Sequence, residues 1–155
     1  MKTNDVEEKR KGVNSPIVQT LIGLVVFYMG LRMFSGGMKS MGKIVWLEAF
    51  VSSPLLVFFG AIVCTLAWQS SSLSTAAIVG LVASGTLPMP SAIAAVLGAN
   101  IGTTGTIWLA GFFVSGGIPE GPVRQIAIVH TGVNMLMAFT LLPFIHPIAK
   151  YVSKL

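Results

Sequence analysis

The chain has 155 residues, of which 10% are charged and 54% apolar, with a formal net charge of +5 and a mean hydropathy of +0.82. Soluble domains carry about 25% charged residues, and a core of this size cannot hide so much apolar surface, so the class is an integral membrane protein. The cations sit at the edges of apolar runs with no basic patch among aromatics, which favours a lipid bilayer over nucleic acid as partner. The lone Cys64 excludes an internal disulfide and reads as packing.

Met1 to Ser15 is polar and charge-rich and reads as a solvated N-terminal tail (residues 1–15), leaving 16–155 as a single membrane domain. Pro16 suits the first position of a helix behind an Asn14 or Ser15 cap. The run Ile17 to Phe34 then makes about 27 Å of helix, enough to cross a core of roughly 30 Å with snorkelling ends. Gly23 and Gly30 share a face that permits close helix contact. Ser35-Gly36-Gly37 is expected to loosen the chain, and Lys39, Lys43, Trp46 and Glu48 mark an interfacial segment.

Ser52-Ser53-Pro54 opens the next helix as cap and proline. Pro54 to Trp68 gives about 22 Å of helix and Leu73 to Ser84 about 18 Å, each short of the roughly 30 Å core. An unbroken helix from 54 to 84 would be about 46 Å, longer than a tilted crossing needs. The economical solution is a re-entrant helical hairpin with its tip at Gln69-Ser70-Ser71-Ser72. Four uncharged polar side chains at that depth need satisfying by protein, ions or substrate. Their hydroxyl and amide donors suit an oxyanion, and their oxygens suit a small hard cation. Ser74 and Thr75 lie just behind. Ala76, Gly80 and Ser84 make a small-residue stripe for packing.

Gly85 to Pro90 is a turn signal. Ser91 to Val114 is long enough to cross, but holds Gly98, Asn100, Gly102, Thr103, Thr104, Gly105 and Thr106. Glycine costs a helix about 1 kcal/mol each, and Asn and Thr compete for the backbone. The expectation is a broken helix, unwound near 98–105, whose second half starts at a Thr103 or Thr104 cap and presents an anion-attracting N-terminus. Residues 115–122 form a loop, and Arg124 opens the last span, Gln125 to Ile148. His130 and Asn134 share a face, either supporting the broken helix or forming a satisfied polar pair. His146, Lys150, Tyr151 and Lys154 belong at the interface. The fold class is therefore all-α integral membrane, with three spanning helices, one broken at mid-membrane, and one re-entrant hairpin.

Gln69-Ser70-Ser71-Ser72, then Gly98-Ala99-Asn100-Ile101-Gly102-Thr103-Thr104, then Arg124, Ala127, His130 and Asn134 resemble the type II sodium–phosphate cotransporters and their bacterial relatives. Gly30, Met33, Gly37, Met41 and Gly42 look like that family's opening helix, so the resemblance spans about residues 17–148. It implies that Gln69, Ser70, Ser71 and Ser72 form the tip that contacts phosphate and sodium, facing Asn100, Thr103 and Thr104. Sodium would take oxygens from Gln69, Ser71, Ser72, Ser74, Thr75 and Asn100. Sodium ions are the coupling ions, and no other cofactor is expected. Family members carry two inverted repeats, each with its own signature, whereas this sequence has one copy of each motif and corresponds to one half.

Neither polar knot contains Lys or Arg. A bound dianion would be balanced by hydroxyl and amide donors, helix N-termini and sodium, which makes anion affinity depend on the cation. Three functions remain open: a sodium-coupled phosphate symporter of two copies, a half-transporter subunit or fragment needing a different partner repeat, and a non-transporting membrane interaction protein. No Ser/His/Asp set, metal cluster or nucleotide motif points to an enzyme. Sorted by side along this path, Lys2, Lys9, Arg10, Lys11 and Arg124 oppose Arg32, Lys39, Lys43, Lys150 and Lys154. The positive-inside rule then gives no orientation. The expected assembly is an antiparallel homodimer that restores the inverted pair, in a plasma or bacterial inner membrane.

Overall fold

A computed structural model describes residues 15–40 and 45–154; most of the tail, together with Met41, Gly42 and Lys43, lies outside them. Among the described residues the chain is helical, with no strand. The helices are α1 (Pro16–Ser40), α2 (Val45–Val51), α3 (Pro54–Trp68), α4 (Ser71–Ala83), α5 (Met89–Ser115), α6 (Gly121–Leu141) and α7 (Ile145–Val152), with a 3-10 turn at Leu142–Phe144 between the last two. Three stretches are long and apolar enough to cross a membrane: Pro16–Ser40, Met89–Ser115 and Gly121–Val152. The helices Pro54–Trp68 and Ser71–Ala83 are apolar but shorter.

Local chemistry sets the ends. Ser53 accepts the Leu56 N–H with Pro54 in the first turn, and Ser70 likewise accepts the Leu73 N–H, contacts of the kind that contribute about 1 kcal/mol each. Between them Gln69 takes the left-handed conformation at φ 51°, rare for a residue with a side chain. Gly85 at φ 77° makes the turn into α5.

The core lies around α5. One cluster joins Val51, Val57, Ile78 and Leu87 to Ala92, Ala95 and Ala99; another joins Phe58 to Ala94, Leu97, Ala138 and Ile145. Thus α3 packs into both clusters, with α4 joining the first and the last span the second. The buried Ser91 hydroxyl donates to the Val51 carbonyl at 2.5 Å, tying the start of α5 to the end of α2. The small stripe on α4 packs as expected at Gly80, where an added Cβ would lie 2.8 Å from the Phe34 ring of α1.

The expected break at 98–105 is absent: α5 is one helix of 27 residues. The reason is close packing. A Cβ on Gly98 would stand 2.2 Å from the Phe58 carbonyl oxygen, and one on Gly102 2.6 Å from Thr65 Cβ. These glycines let the α5 backbone approach the backbone of α3 at Phe58 and its side chain at Thr65, and the burial offsets their intrinsic cost. Thr103 and Thr104 start no second half-helix; their hydroxyls donate to the Ala99 and Ile101 carbonyls of the same helix at 2.9 and 2.7 Å. Ser35-Gly36-Gly37 also stays helical, inside α1. Gly23 and Gly30 meet nothing within 4 Å, so neither glycine makes a close helix contact within the described residues.

Candidate functional site

The first turn of α4 begins directly after the Gln69–Ser70 turn. Its N–H groups have no preceding helical carbonyls to bond, which gives this end a partial positive charge. Ser71, Ser72 and Thr75 project from that turn into an open cleft of about 480 Å³, together with Ala76 and Val79. Asn100 enters from α5, and Phe27 and Leu31 of α1 close the apolar side. No lining residue is charged. Ser71, Ser72 and Thr75 are exposed and Asn100 is half-buried. The Thr75 hydroxyl donates to the Ser71 carbonyl at 2.9 Å, so its lone pairs remain open. The cleft combines hydroxyl and amide donors with neutral oxygens, a set that can hold an oxyanion and a hard cation side by side.

The remaining residues of the two polar knots are placed differently. Gln69 donates its side-chain N–H to the Leu66 carbonyl, folding back on α3. Ser70 is occupied as the α4 cap at 3.2 Å from the Leu73 nitrogen. Ser74 is buried, with its oxygen 2.6 Å from that of Thr65 and 2.8 Å from Trp68 Nε1. Thr103 and Thr104 bond within α5 and are not among the cleft's lining residues.

His130 and Asn134 contact each other along α6 at 3.2 Å. The polar bridge between α5 and the last span comes instead from Trp108 Nε1, which donates to the Thr131 hydroxyl at 2.9 Å, and Thr131 donates on to the Ala127 carbonyl. The sequence reading missed this bridge, and it missed Phe27, Leu31 and Val79 as cleft walls. The bridge has no local signal. Leu31 and Phe27 share a helix face at a spacing of four, which marks them only as a packing stripe.

A family described as the Na+/Pi-cotransporter matches residues 26–148. The chain belongs to the Na+/Pi-cotransporter family. Similar proteins include sodium-dependent phosphate transport protein 2A of Ovis aries, 31% identical over 93% of this chain and 25% of that protein. The protein of the same description from Rattus norvegicus is 36% identical over 69% of this chain and 17% of its own length. Sodium-dependent phosphate transport protein 2B of Homo sapiens is 33% identical over 79% and 19%. This Na+/Pi-cotransporter chain therefore spans about a quarter or less of the curated relatives it matches. No solved structure matches it.

Proposed function

We propose that the chain carries out sodium-coupled symport of inorganic phosphate, as one repeat of a two-repeat assembly in a plasma or bacterial inner membrane. The observation that carries this reading is the meeting of Ser71, Ser72 and Thr75, at the α4 N-terminus, with Asn100 on one uncharged cleft, in a member of the Na+/Pi-cotransporter family. Phosphate takes hydrogen bonds from the Ser71 and Ser72 hydroxyls, the Asn100 amide and the free α4 N–H groups. Sodium takes oxygens from Ser71, Ser72, Thr75 and the Asn100 carbonyl and supplies the counter-charge that the protein lacks. Gln69 joins them by a side-chain rotation that releases the Leu66 carbonyl, and Ser70 through the hydroxyl proton that its capping contact leaves free. Thr103 and Thr104 shape α5 behind the site, and His130 and Asn134 support it from α6.

In this reading α3 and α4 are the legs of a re-entrant hairpin that enters and leaves on one side, since neither matches the roughly 30 Å core. Two copies in opposite orientation bring two serine turns to the midplane. The even division of Lys and Arg between the two sides supports self-pairing. Pairing with a different repeat is the second reading, supported by the small share of each relative that the chain spans.

The test is radiolabelled phosphate uptake into proteoliposomes of the purified chain, with and without a sodium gradient. Sodium-dependent accumulation is expected; none would refute transport by the chain alone. A C-terminal topology reporter separates the two assemblies: signal from both compartments is expected, and a single orientation in active protein would rule out the antiparallel pair.

A further inference from the structure

Behind the cleft, one buried hydroxyl joins the two helices that meet at the serine turn. Thr65 and Ser74 are 0% and 3% exposed, and their hydroxyl oxygens are 2.6 Å apart. The Trp68 indole N–H donates to Ser74 Oγ at 2.8 Å. Ser74 Oγ donates to the Ser70 carbonyl at 3.0 Å. A serine hydroxyl has one proton and two lone pairs. With its proton on Ser70, Ser74 must accept from Thr65 as well as from Trp68, which can only donate. Both lone pairs are then engaged and none remains for a cation.

We propose that Ser74, held by Thr65 and Trp68, is a positioning residue that fixes the serine turn, and not an ion ligand; this rests on the phosphate-and-sodium reading of the adjoining cleft. The three-way contact links the last turn of α3 to the first turn of α4 across Gln69 and Ser70. Ser71 and Ser72 are rigidly joined to Ser74 by the helix. The direction they face into the cleft is therefore set by this contact. The Ser70 carbonyl, which receives both the Ser74 N–H at 3.1 Å and its hydroxyl, anchors the turn.

The experiment compares Thr65→Val, Trp68→Phe and Ser74→Ala in sodium-driven phosphate uptake, normalised to inserted protein. Each removes one arm of the contact. A single neutral hydrogen bond gives an expected rise of about three- to tenfold in the half-saturating phosphate concentration. The sodium Hill coefficient stays unchanged, and Ser74→Thr retains most of the parent affinity. The Thr65→Val, Ser74→Ala pair is expected to be no worse than the poorer single variant, because both act on one contact. A change confined to Ser74→Ala and expressed in the sodium Hill coefficient would make Ser74 a ligand and overturn the proposal. Loss of inserted protein with unchanged half-saturation would reduce the contact to a structural one and also overturn it.

A second readout does not depend on transport. A spin label on Gln69→Cys, in a Cys64→Ala background, should be more restricted in the parent than after Thr65→Val or Ser74→Ala. Absence of uptake by the parent would remove the transport reading, while the label would still decide whether the contact fixes the turn. Unchanged mobility overturns the proposal.

Discussion

Residues 69–72 and 98–106 are both polar interruptions of apolar runs, and the chain treats them in opposite ways. At Gln69 the helix ends: the backbone turns left-handed and Ser70 caps a new helix. At Gly98 to Thr106 the helix continues without a break. The two stretches differ in what faces them. Gly98 and Gly102 have another helix against them, at distances no side chain would permit. The serine turn has a capping contact, the buried Ser74 hydroxyl on the Ser70 carbonyl and an open cleft. A polar or glycine-rich run breaks a helix where its backbone groups find better partners, and holds one where its small size is used for contact.

The largest expected effect comes from abolishing that contact. Gly98→Val places side-chain atoms where the Phe58 carbonyl oxygen lies, with no flexible group to give way. Thermal unfolding in detergent should show a loss of about 3 kcal/mol, at the upper end for overpacking. Unchanged stability would mean that α5 keeps its helix without α3 and would break the comparison. Next comes the cleft. Ser71→Ala or Asn100→Ala should lower sodium-dependent phosphate uptake at least about tenfold, since a hydrogen bond to a charged group contributes about 1.5–3 kcal/mol. Normal uptake by the double variant would leave the serine turn without a role in binding. The smallest effect has the opposite sign. Gly132 of α6 meets nothing within 4 Å, so Gly132→Ala should raise stability by about 0.5–1 kcal/mol in the same unfolding assay. A loss there would show that glycine spacing, and not the facing helix, governs tolerance.

Much of the layout was legible because it is written locally. Ser53-Pro54, the serines after Gln69 and Gly85 each mark a helix end within four residues, and the lengths of α3 and α4 followed from those marks. Of the residues expected at the candidate site, Ser71, Ser72, Thr75 and Asn100 share a cleft. The continuity of α5 was not legible, because the cost of Gly98 depends on a carbonyl of Phe58, distant in sequence. Neither was the engagement of Ser74, which needs Trp68 and Thr65 brought round by the turn. Ser35-Gly36-Gly37 was misread for a simpler reason: two glycines at the end of a long apolar helix lower its stability without forcing a stop, and the Ser40 hydroxyl bonds back to the Gly36 carbonyl at 2.9 Å.

The attachment of α1 carries a further consequence for the cleft. This helix packs chiefly on α4, with Leu31 and Phe34 against Gly80, and has no buried residue of its own. The α3–α5 core is complete without it. The cleft is not, because Phe27 and Leu31 are two of its walls. Seating of this helix on α4 is thus what turns an open groove into a cavity, and without it the serine turn has a floor but no enclosure.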